Sequence, residues 1–366
     1  MPPRVVLHVD LDYFYAQCEE NANPKIRGKP VVVCVYSGRT EESGAVSTCN
    51  YLARKYGVRA GVPIVRAKKL LESVDAIFLP TNRAYYEAIS DRIMEILRTN
   101  ADAYEKLGID EAFLDVSSRT GNDFDLGRDI AVEIKKQVFA QEHITCSVGI
   151  GPNKVLAKIA SDQTKPDGLT MVKPEETEQF LSSLPVSRIP GVGKKAEERL
   201  TQLNVSTISD LSALTPTLLI EIFGKSLGSY FYHASRGVDN EPVKEREQPT
   251  QFSRIATLKQ NTREPEQILP LLTELVTSVA AKMKEEGITG KSVAIIAILT
   301  DLSIHSKSKM LESPTSETRV IENAGRQLLE EYLQQAPGAN LRRVGIKVSA
   351  LTKQTGQTDI SKFLSG

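Results

Sequence analysis

The chain has 366 residues, of which 40% are hydrophobic and 25% charged, with 46 basic and 46 acidic side chains. These ordinary globular values exclude a disordered, fibrous or coiled-coil protein, and the length predicts two to four domains. A net charge of zero gives no signal for nucleic acid from the whole chain. The N-terminus lacks the apolar run of a signal peptide, and no stretch approaches the roughly 20 apolar residues of a membrane span. We therefore expect a cytoplasmic protein with no membrane partner.

The first half of the chain predicts a split βαββαβ sheet that carries an insertion over residues 11–75. The insertion is expected to contain a helix at Tyr13–Asn21, a strand at Val31–Val35 and a helix at Tyr51–Tyr56. The strands of the sheet are predicted at Val5–Val9, Ala76–Leu79, Ala112–Val116 and Thr145–Ile150, and its helices at Ala84–Arg98, Leu126–Phe139 and Asn153–Ser161.

The second half changes character at about Glu175, where short helices punctuated by Pro-Gly and Gly-Lys predict a small helical domain. A charged stretch without apolar periodicity, residues 236–249, predicts a linker. A second α/β unit and a flexible tail follow. The unit is predicted to contain strands at Phe252–Leu258, Ser292–Leu299 and Leu341–Leu351, helices at Ile268–Glu285 and Ser316–Gln334, and a polar hairpin before the second helix.

Paired acids stand at the ends of two predicted strands. Asp10 and Asp12 close the first strand, and Asp110 and Glu111 occupy a turn that enters a later one. If these strands pair, the carboxylates meet and form a site of the kind that Mg²⁺ prefers, with substrate phosphates as further ligands. The alternative is that each acid faces water at a strand end, which is how we interpret Asp115.

The acids lie in segments that resemble the signature segments of the Y-family DNA polymerases, in particular the archaeal type of the DinB branch, also called polymerase IV. The resemblance is dense over the first 240 residues and is carried by Val9–Glu20, Gly28–Val33, Ala45–Arg54, Leu107–Asp115, Val148–Lys158 and Lys165–Gly168.

The resemblance implies an α+β multidomain fold, a right-hand polymerase with a βαββαβ palm, small fingers, a helical thumb with a helix-hairpin-helix, and an α/β little finger. The expected bounds are 1–13 and 76–168 for the palm, 14–75 for the fingers, 169–235 for the thumb, 236–247 for the linker, 248–351 for the little finger and 352–366 for the tail.

In the family, residues matching Asp10, Asp110 and Glu111 are catalytic and bind two Mg²⁺ ions, with the backbone carbonyl at Leu11 helping. The residue matching Asp12 is usually not a ligand. The resemblance therefore reduces the first acidic pair to one metal-binding member.

A nucleotide site is also expected. Tyr51 and Arg54 are three residues apart on a predicted helix, so they share a face and can act with Lys165 as donors to a triphosphate. By resemblance, Tyr15 is the steric gate, whose ring excludes a 2′-hydroxyl. The complete expected set for the dNTP is Tyr13, Phe14, Tyr15, Thr48, Tyr51, Arg54 and Lys165, with Tyr13 and Phe14 acting through their amides near a helix start. The small residues Ser47 and Cys49 are expected beside the nascent base pair.

Contacts to primer-template DNA are expected in two places. The Gly191, Gly193 and Lys194 segment precedes a predicted helix and resembles a helix-hairpin-helix, whose amides approach a phosphate. The second place is the C-terminal unit, where basic residues on or beside the strands suit phosphates, although a solvated edge explains each equally well. These residues are Arg254, Lys259, Arg342, Arg343 and Lys347.

The end of the chain resembles a box that binds a PCNA-type sliding clamp, through Gln357, Ile360, Phe363 and Leu364. Leu364 stands where a second aromatic residue is usual. Such tethering suits a polymerase with weak intrinsic grip, because effective concentration replaces affinity.

The resemblance thus implies a monomeric, template-directed polymerase that bypasses damaged bases with low fidelity, low processivity and no proofreading. Two alternatives remain. A nucleotidyl cyclase can share the palm, but the hairpin, the C-terminal unit and the clamp box favour DNA. A non-catalytic, clamp-recruited DNA-binding factor would not require the intact acids.

Overall fold

The computed structural model describes residues 3–245 and 249–353, so the predicted clamp box lies outside the described residues. Contacts within the chain divide it into two compact units. The first contains most of residues 3–245, and the second contains residues 249–353 together with Val35–Ala45 and Pro63–Val65. No helix of the described ranges is long and apolar enough to span a bilayer.

Strands and helices alternate through the first part of the chain. In order they are β1 (Val6–Leu11), α1 (Phe14–Ala22), β2 (Val31–Tyr36), β3 (Gly44–Cys49), α2 (Tyr51–Arg54), α3 (Ile64–Leu70), β4 (Ile77–Pro80), α4 (Arg83–Thr99), β5 (Ala103–Lys106), β6 (Glu111–Asp115), α5 (Ser117–Thr120), α6 (Phe124–Glu142), β7 (Cys146–Gly151), α7 (Lys154–Ser161) and β8 (Leu169–Met171).

The palm is a five-stranded sheet in the order β5-β6-β1-β7-β8. The βαββαβ pattern is confirmed as β1, α4, β5, β6, α6 and β7. Because side chains alternate along a strand, Leu7, Val9 and Leu11 of β1 enter one hydrophobic core, which α4 and α6 share. The opposite face of β1 presents His8 and Asp10 towards the side on which α7 packs.

One strand was assigned to the wrong sheet. The strand predicted at Ala76–Leu79 exists as β4, but it pairs in parallel with β2 in a separate sheet of order β3-β2-β4. The palm strand missed from the sequence is β5, a four-residue edge strand with the sequence Ala-Tyr-Glu-Lys. Its length and mixed polarity give no clear strand pattern, whereas β4 and β2 are both apolar and were easier to detect.

Five helices form the region after the palm, and they pack around a hydrophobic core to which Val155, Leu156 and Ile159 of α7 also contribute. They are α8 (Thr177–Ser182), α9 (Lys194–Thr201), α10 (Ile208–Ser212), α11 (Pro216–Phe223) and α12 (Lys225–Ala234).

The first part of the predicted linker is held against the palm. Val243 is buried beside Val6 and Phe113, and Arg4 donates to the carbonyls of Asp239 and Glu241. The stretch was predicted as a linker because it is polar, but the buried Val243 and the backbone carbonyls suffice to hold its first part. Its last residues lie outside the described ranges.

The second unit contains a four-stranded antiparallel sheet of order β11-β10-β12-β9, with two helices packed against one face. The predicted polar hairpin is confirmed, because β10 and β11 pair antiparallel across a short turn, but most of the predicted segment is the edge strand β11, which the sequence did not indicate as a strand. The elements are β9 (Gln251–Thr262), α13 (Pro265–Glu285), β10 (Ile288–Leu299), β11 (Ile304–Thr315), α14 (Thr318–Gln335) and β12 (Leu341–Lys353).

Candidate active site

Antiparallel pairing of β1 with β6 brings the predicted acids together. Asp10 lies directly opposite Glu111 in the register, and the amide of Leu11 donates to the carbonyl of Asp110 at 2.8 Å. Three carboxylates therefore converge at one end of the palm sheet, as the sequence predicted.

A histidine and a serine extend this cluster. His8 lies two residues before Asp10, hence on the same face of β1, and its Nε2 is 3.2 Å from Glu111 Oε2. Its Nδ1 is 2.8 Å from Ser161 Oγ. Because burial lowers the pKa of His8 to about 4, the ring is neutral at pH 7, and its contact with Glu111 is a hydrogen bond rather than an ion pair.

Two lysines contact the same carboxylates. Lys158 Nζ, on α7, is 2.5 Å from Glu111 Oε2, and Lys165 Nζ is 2.8 Å from Asp10 Oδ2. Burial opposes the charge on Lys165, but Asp10 and Asp162 outweigh it and raise the pKa of the Lys165 ammonium. Asp10 and Glu111 are therefore each paired with a lysine ammonium group.

The carboxylates titrate differently because their surroundings differ. Burial raises the pKa of Asp10 to about 6, against the influence of Lys165. Burial and then the neighbouring Glu111 charge raise the pKa of Asp110. Hydrogen bonds from His8 and Lys158 instead lower the pKa of Glu111 to about 2, although burial acts in the other direction.

This donor set suits a hard divalent cation. Ligand atoms of His8, Asp10 and Glu111 all lie within 4.8 Å of one another. Crowded, half-buried carboxylates with raised pKa values are the groups whose charge a divalent cation would neutralise, and oxygen ligands favour Mg²⁺. His8 is fully engaged by Glu111 and Ser161, so the carboxylates are the better ligands.

Asp12, the other acid of the first pair, follows the end of β1, and its carboxylate contacts side chains of the β7 region rather than the three converging acids. It is buried and accepts hydrogen bonds from Thr145 and Ser147. The structure therefore separates Asp12 from the three converging acids. Asp115 differs from Asp12 and from the three converging acids. Its carboxylate accepts a hydrogen bond from the amide of Ser117 at 2.9 Å, at the start of α5.

The predicted gate residue packs on a second tyrosine. The rings of Tyr15 and Tyr86 are stacked, with centroids 4.3 Å apart and an interplanar angle of 17°. Tyr86 is completely buried, and its hydroxyl donates to Glu19 Oε1 at 2.5 Å. Burial raises the pKa of Tyr15, and the charge of Asp110 acts in the same direction.

Tyr51 and Arg54 share a face of α2 as predicted. The Arg54 guanidinium lies 4.5 Å from the centre of the Tyr51 ring, and Arg54 Nε donates to the carbonyl of Cys49 at 3.2 Å. The Tyr51 ring also meets Tyr13 edge-on, with centroids 5.4 Å apart. Burial raises the pKa of Tyr51, and the charge of Lys165 acts against that shift.

The remaining nucleotide residues divide between surface and core. Tyr13 is the N-cap of α1 in the left-handed conformation, and the first amides of a helix have no partner within it. The Phe14 side chain is buried, so only its amide is available. Thr48 is half-buried on β3, whereas Cys49 is buried with its thiol 3.4 Å from the Val58 carbonyl. Cys49 therefore does not line an open pocket.

The hairpin of the expected helix-hairpin-helix forms a turn that leads directly into α9. Gly191 has φ +89°, which favours glycine, and Gly193 is the N-cap of α9, with open space around its α-carbon. The side chain of Lys194 is exposed at the first position of the helix. Backbone and side chain can both reach a phosphate at this point.

The basic residues of the second unit do not share one face. Arg343 pairs with Ile298 and Thr257, and Lys347 with Ala294 and Ser253, on the face of the sheet that carries no helix. Arg254 pairs with the buried Ile346 and therefore lies on the helix-covered side. Arg342 lies at a register shift of β12, and Lys259 lies on the edge strand β9.

Four residues that contact the site were not singled out from the sequence. The alternation of β1 already placed His8 on the face of Asp10, so that signal was present. The other three residues reach the site from distant parts of the chain, so the sequence carried no signal for them. The four are His8, Tyr86, Lys158 and Ser161.

Three family profiles match the chain. The impB/mucB/samB family covers residues 9–162, and the C-terminal domain of that family covers residues 249–360. The thumb domain of DNA polymerase iota covers residues 187–239.

Full-length relatives are similarly consistent. The chain is 46% identical to a DNA polymerase IV of Nitrosopumilus maritimus over 99% of this chain and 100% of the relative. It is 43% identical to a DNA polymerase IV of Methanosarcina acetivorans, again over 99% and 100%.

Solved structures agree. A Y-family DNA polymerase chimera superposes with a TM-score of 0.90 at 39% identity, covering 95% of this chain and 99% of the other. An insertion ternary complex of Dbh DNA polymerase gives a TM-score of 0.69 at 39% identity over 95% and 99%.

Proposed function

The chain belongs to the DinB branch of the Y-family and is a DNA-directed DNA polymerase, and from this premise we propose that it extends primers past damaged template bases by two-metal-ion nucleotidyl transfer. The observation that carries the mechanism is the register that sets Asp10 against Glu111, with Asp110 adjacent. Family membership also removes the nucleotidyl cyclase and the non-catalytic factor as alternatives.

Asp10, Asp110 and Glu111 are the proposed ligands of two Mg²⁺ ions, together with the carbonyl of Leu11. When bound, Mg²⁺ supplies the positive charge that activates the primer 3′-hydroxyl and stabilises the departing pyrophosphate. Lys158 and His8 hold Glu111 as a fixed carboxylate, which supports a pre-organised site.

The incoming dNTP is proposed to bind between α1, α2 and the residue 165–168 loop. Lys165, Arg54 and the Tyr51 hydroxyl donate to the triphosphate, with Thr48 and the amides of α1 adding further donors. The stack on buried Tyr86 supports a gate role for Tyr15, because a ring fixed in this way cannot yield to a 2′-hydroxyl.

The chain is proposed to hold primer-template DNA at several places. Gly191, Gly193 and Lys194 approach one phosphate, and Arg343 serves another from the open face of the second unit. Arg343 Nε is buried without a hydrogen-bond partner among the described residues, and an anionic oxygen would satisfy it. Arg342 and Lys347 remain candidates beside Arg343, whereas Arg254 is exposed on the opposite, helix-bearing face of the sheet.

We further propose low fidelity, low processivity and the absence of proofreading, with a cytoplasmic monomer recruited by a PCNA-type clamp. The recruiting residues are Gln357, Ile360, Phe363 and Leu364.

Primer extension on paired templates tests this function. One template carries an abasic site and the other is undamaged, each with Mg²⁺ and all four dNTPs. We expect extension past the lesion, short products under single-encounter conditions, and no excision of a mismatched primer end. Arrest at the abasic site combined with efficient copying of the undamaged template would contradict the proposed lesion bypass while leaving the polymerase activity intact.

A further inference from the structure

The second acid of the Asp-x-Asp motif has no part in the proposed metal site, yet Asp12 is only 1% exposed. Its Oδ1 accepts from Ser147 Oγ at 2.7 Å, and its Oδ2 accepts from Thr145 Oγ1 at 3.0 Å and from the amide of Asp167 at 2.8 Å. A buried carboxylate is strongly destabilising unless donors satisfy it, and here three donors do so. Two of them belong to the neighbouring β7 region, but the third belongs to a distant loop.

The distant loop is residues 165–168, and it contains Lys165, the proposed donor to the triphosphate. Asp167 lies two residues after Lys165, and its backbone has φ +57°. Lys135, on α6, binds the same turn, because its Nζ is 2.7 Å from Asp167 Oδ1 and 3.2 Å from the carbonyl of Gly168. The turn after Lys165 is therefore fixed from two directions, by a buried anion at its backbone and by a cation at its side chain.

The other end of the loop faces the acids. Lys165 Nζ is 2.8 Å from both Asp10 Oδ2 and Asp162 Oδ1. A long lysine side chain reaches a defined point only if its backbone is held, because its own rotamers are numerous. The contact between Asp12 and the Asp167 amide provides such a hold, two residues after Lys165.

We propose that Asp12 is a positioning residue for the incoming nucleotide, which fixes the 165–168 loop so that Lys165 meets the triphosphate. Asp12 thus acts through Lys165 and touches neither metal nor nucleotide. This inference rests on the proposed nucleotidyl transfer. It gives the two acids of the motif separate tasks, because Asp10 lies in the acidic cluster whereas Asp12 holds the 165–168 loop.

A double-mutant cycle with Lys165 tests the proposal. Wild type, D12A, K165A and D12A/K165A are compared in single-nucleotide insertion with Mg²⁺, measuring kcat and KM for the dNTP. The dissociation constant of the dNTP is measured separately on a dideoxy-terminated primer, where no chemistry occurs. The matched control is D115A, which removes another palm acid whose carboxylate binds a nearby amide away from the acids.

We expect D12A to raise KM and the dissociation constant about tenfold, with a smaller effect on kcat. In K165A, Asp12 has no lysine left to position. The KM and the dissociation constant of the dNTP for D12A/K165A should therefore match those of K165A within about twofold. D12N should recover most of the affinity, because its amide oxygen can still accept from the Asp167 amide while its NH₂ donates to Ser147. D115A should bind dNTP as the wild type does.

Two results would overturn the proposal. One is independent, multiplicative effects of D12A and K165A, and the other is a lowered melting temperature of D12A with unchanged dNTP affinity. If D12A does not fold, D12S replaces it in the cycle, because serine keeps a polar partner for Ser147 but is too short to reach the Asp167 amide. Failure of the wild type to insert any nucleotide would instead count against the proposed function.

Discussion

At the scale of single residues, acids that are adjacent in sequence differ in what their carboxylates touch. Asp10 and Asp110 lie in the cluster with raised pKa values, whereas Glu111 is held ionised by His8 and Lys158. Asp12 is directed to Thr145 and Ser147. The signature segments predicted the convergence of the acids, because strand pairing alone produces it. Apart from His8, which the alternation of β1 placed beside Asp10, the sequence carried no signal for the donors of these carboxylates, since Lys158, Thr145 and Ser147 are distant along the chain.

The gate offers a prediction at this scale. Y15A removes the ring that would meet a 2′-hydroxyl, so we expect discrimination against ribonucleotides, measured as the ratio of kcat/KM for dNTP over rNTP, to fall by at least about tenfold.

Y15F is the matched control, because it keeps the ring and its stack on Tyr86. It should retain the selectivity of the wild type. Equal selectivity in Y15A and the wild type would show that another group excludes the 2′-hydroxyl.

At the scale of elements, strands were predicted where apolar residues cluster and missed where they do not. The edge strand β11 places Lys307 and Lys309 on its helix-facing side, where they contact Glu331 and Gln327 of α14. An apolar alternation is therefore absent, although the strand pairs along its length with β10. The sheet to which β4 belongs likewise depends on long-range pairing, which no local pattern encodes.

The Gly149-Ile-Gly-Pro-Asn-Lys segment lacks the pattern of a Rossmann or Walker loop, and its first glycine serves packing. A β-carbon at Gly149 would lie 2.0 Å from the Ala157 carbonyl oxygen and 2.2 Å from the Ser161 nitrogen, so α7 rests directly on β7. G149A should lower the free energy of unfolding by about 1–3 kcal/mol or more.

Denaturant titration measures this change, and G338A is the control, because its β-carbon would meet nothing within 4 Å. Since α7 carries Lys158, nucleotide insertion should also fall in G149A. Unchanged stability of G149A would mean that α7 can move away from β7 without cost.

At the scale of the whole molecule, the expected order of domains stays a prediction that the signature segments carry. The packing of the first part of the predicted linker could not be predicted, since the contacts that hold Val243 and Glu241 come from distant residues. The clamp box lies outside the described residues, so its role stays a prediction from the sequence.

Clamp recruitment can be tested with two variants. Deletion of residues 354–366 should abolish binding to a PCNA-type clamp and leave distributive primer extension unchanged. L364F restores the usual second aromatic residue and should tighten clamp binding roughly fivefold by surface plasmon resonance. Clamp binding that survives the deletion would place the interface elsewhere.

The central claim is that Asp110 and Glu111 hold the metal ions that drive nucleotidyl transfer, and single-turnover insertion of one dNTP with Mg²⁺ tests it most directly. D110A/E111A should lose roughly a thousandfold or more in rate while its affinity for primer-template DNA stays unchanged. D115A, which alters an acid at the far end of the same strand, should insert nucleotide as the wild type does. Insertion by D110A/E111A at the rate of the wild type would contradict the account.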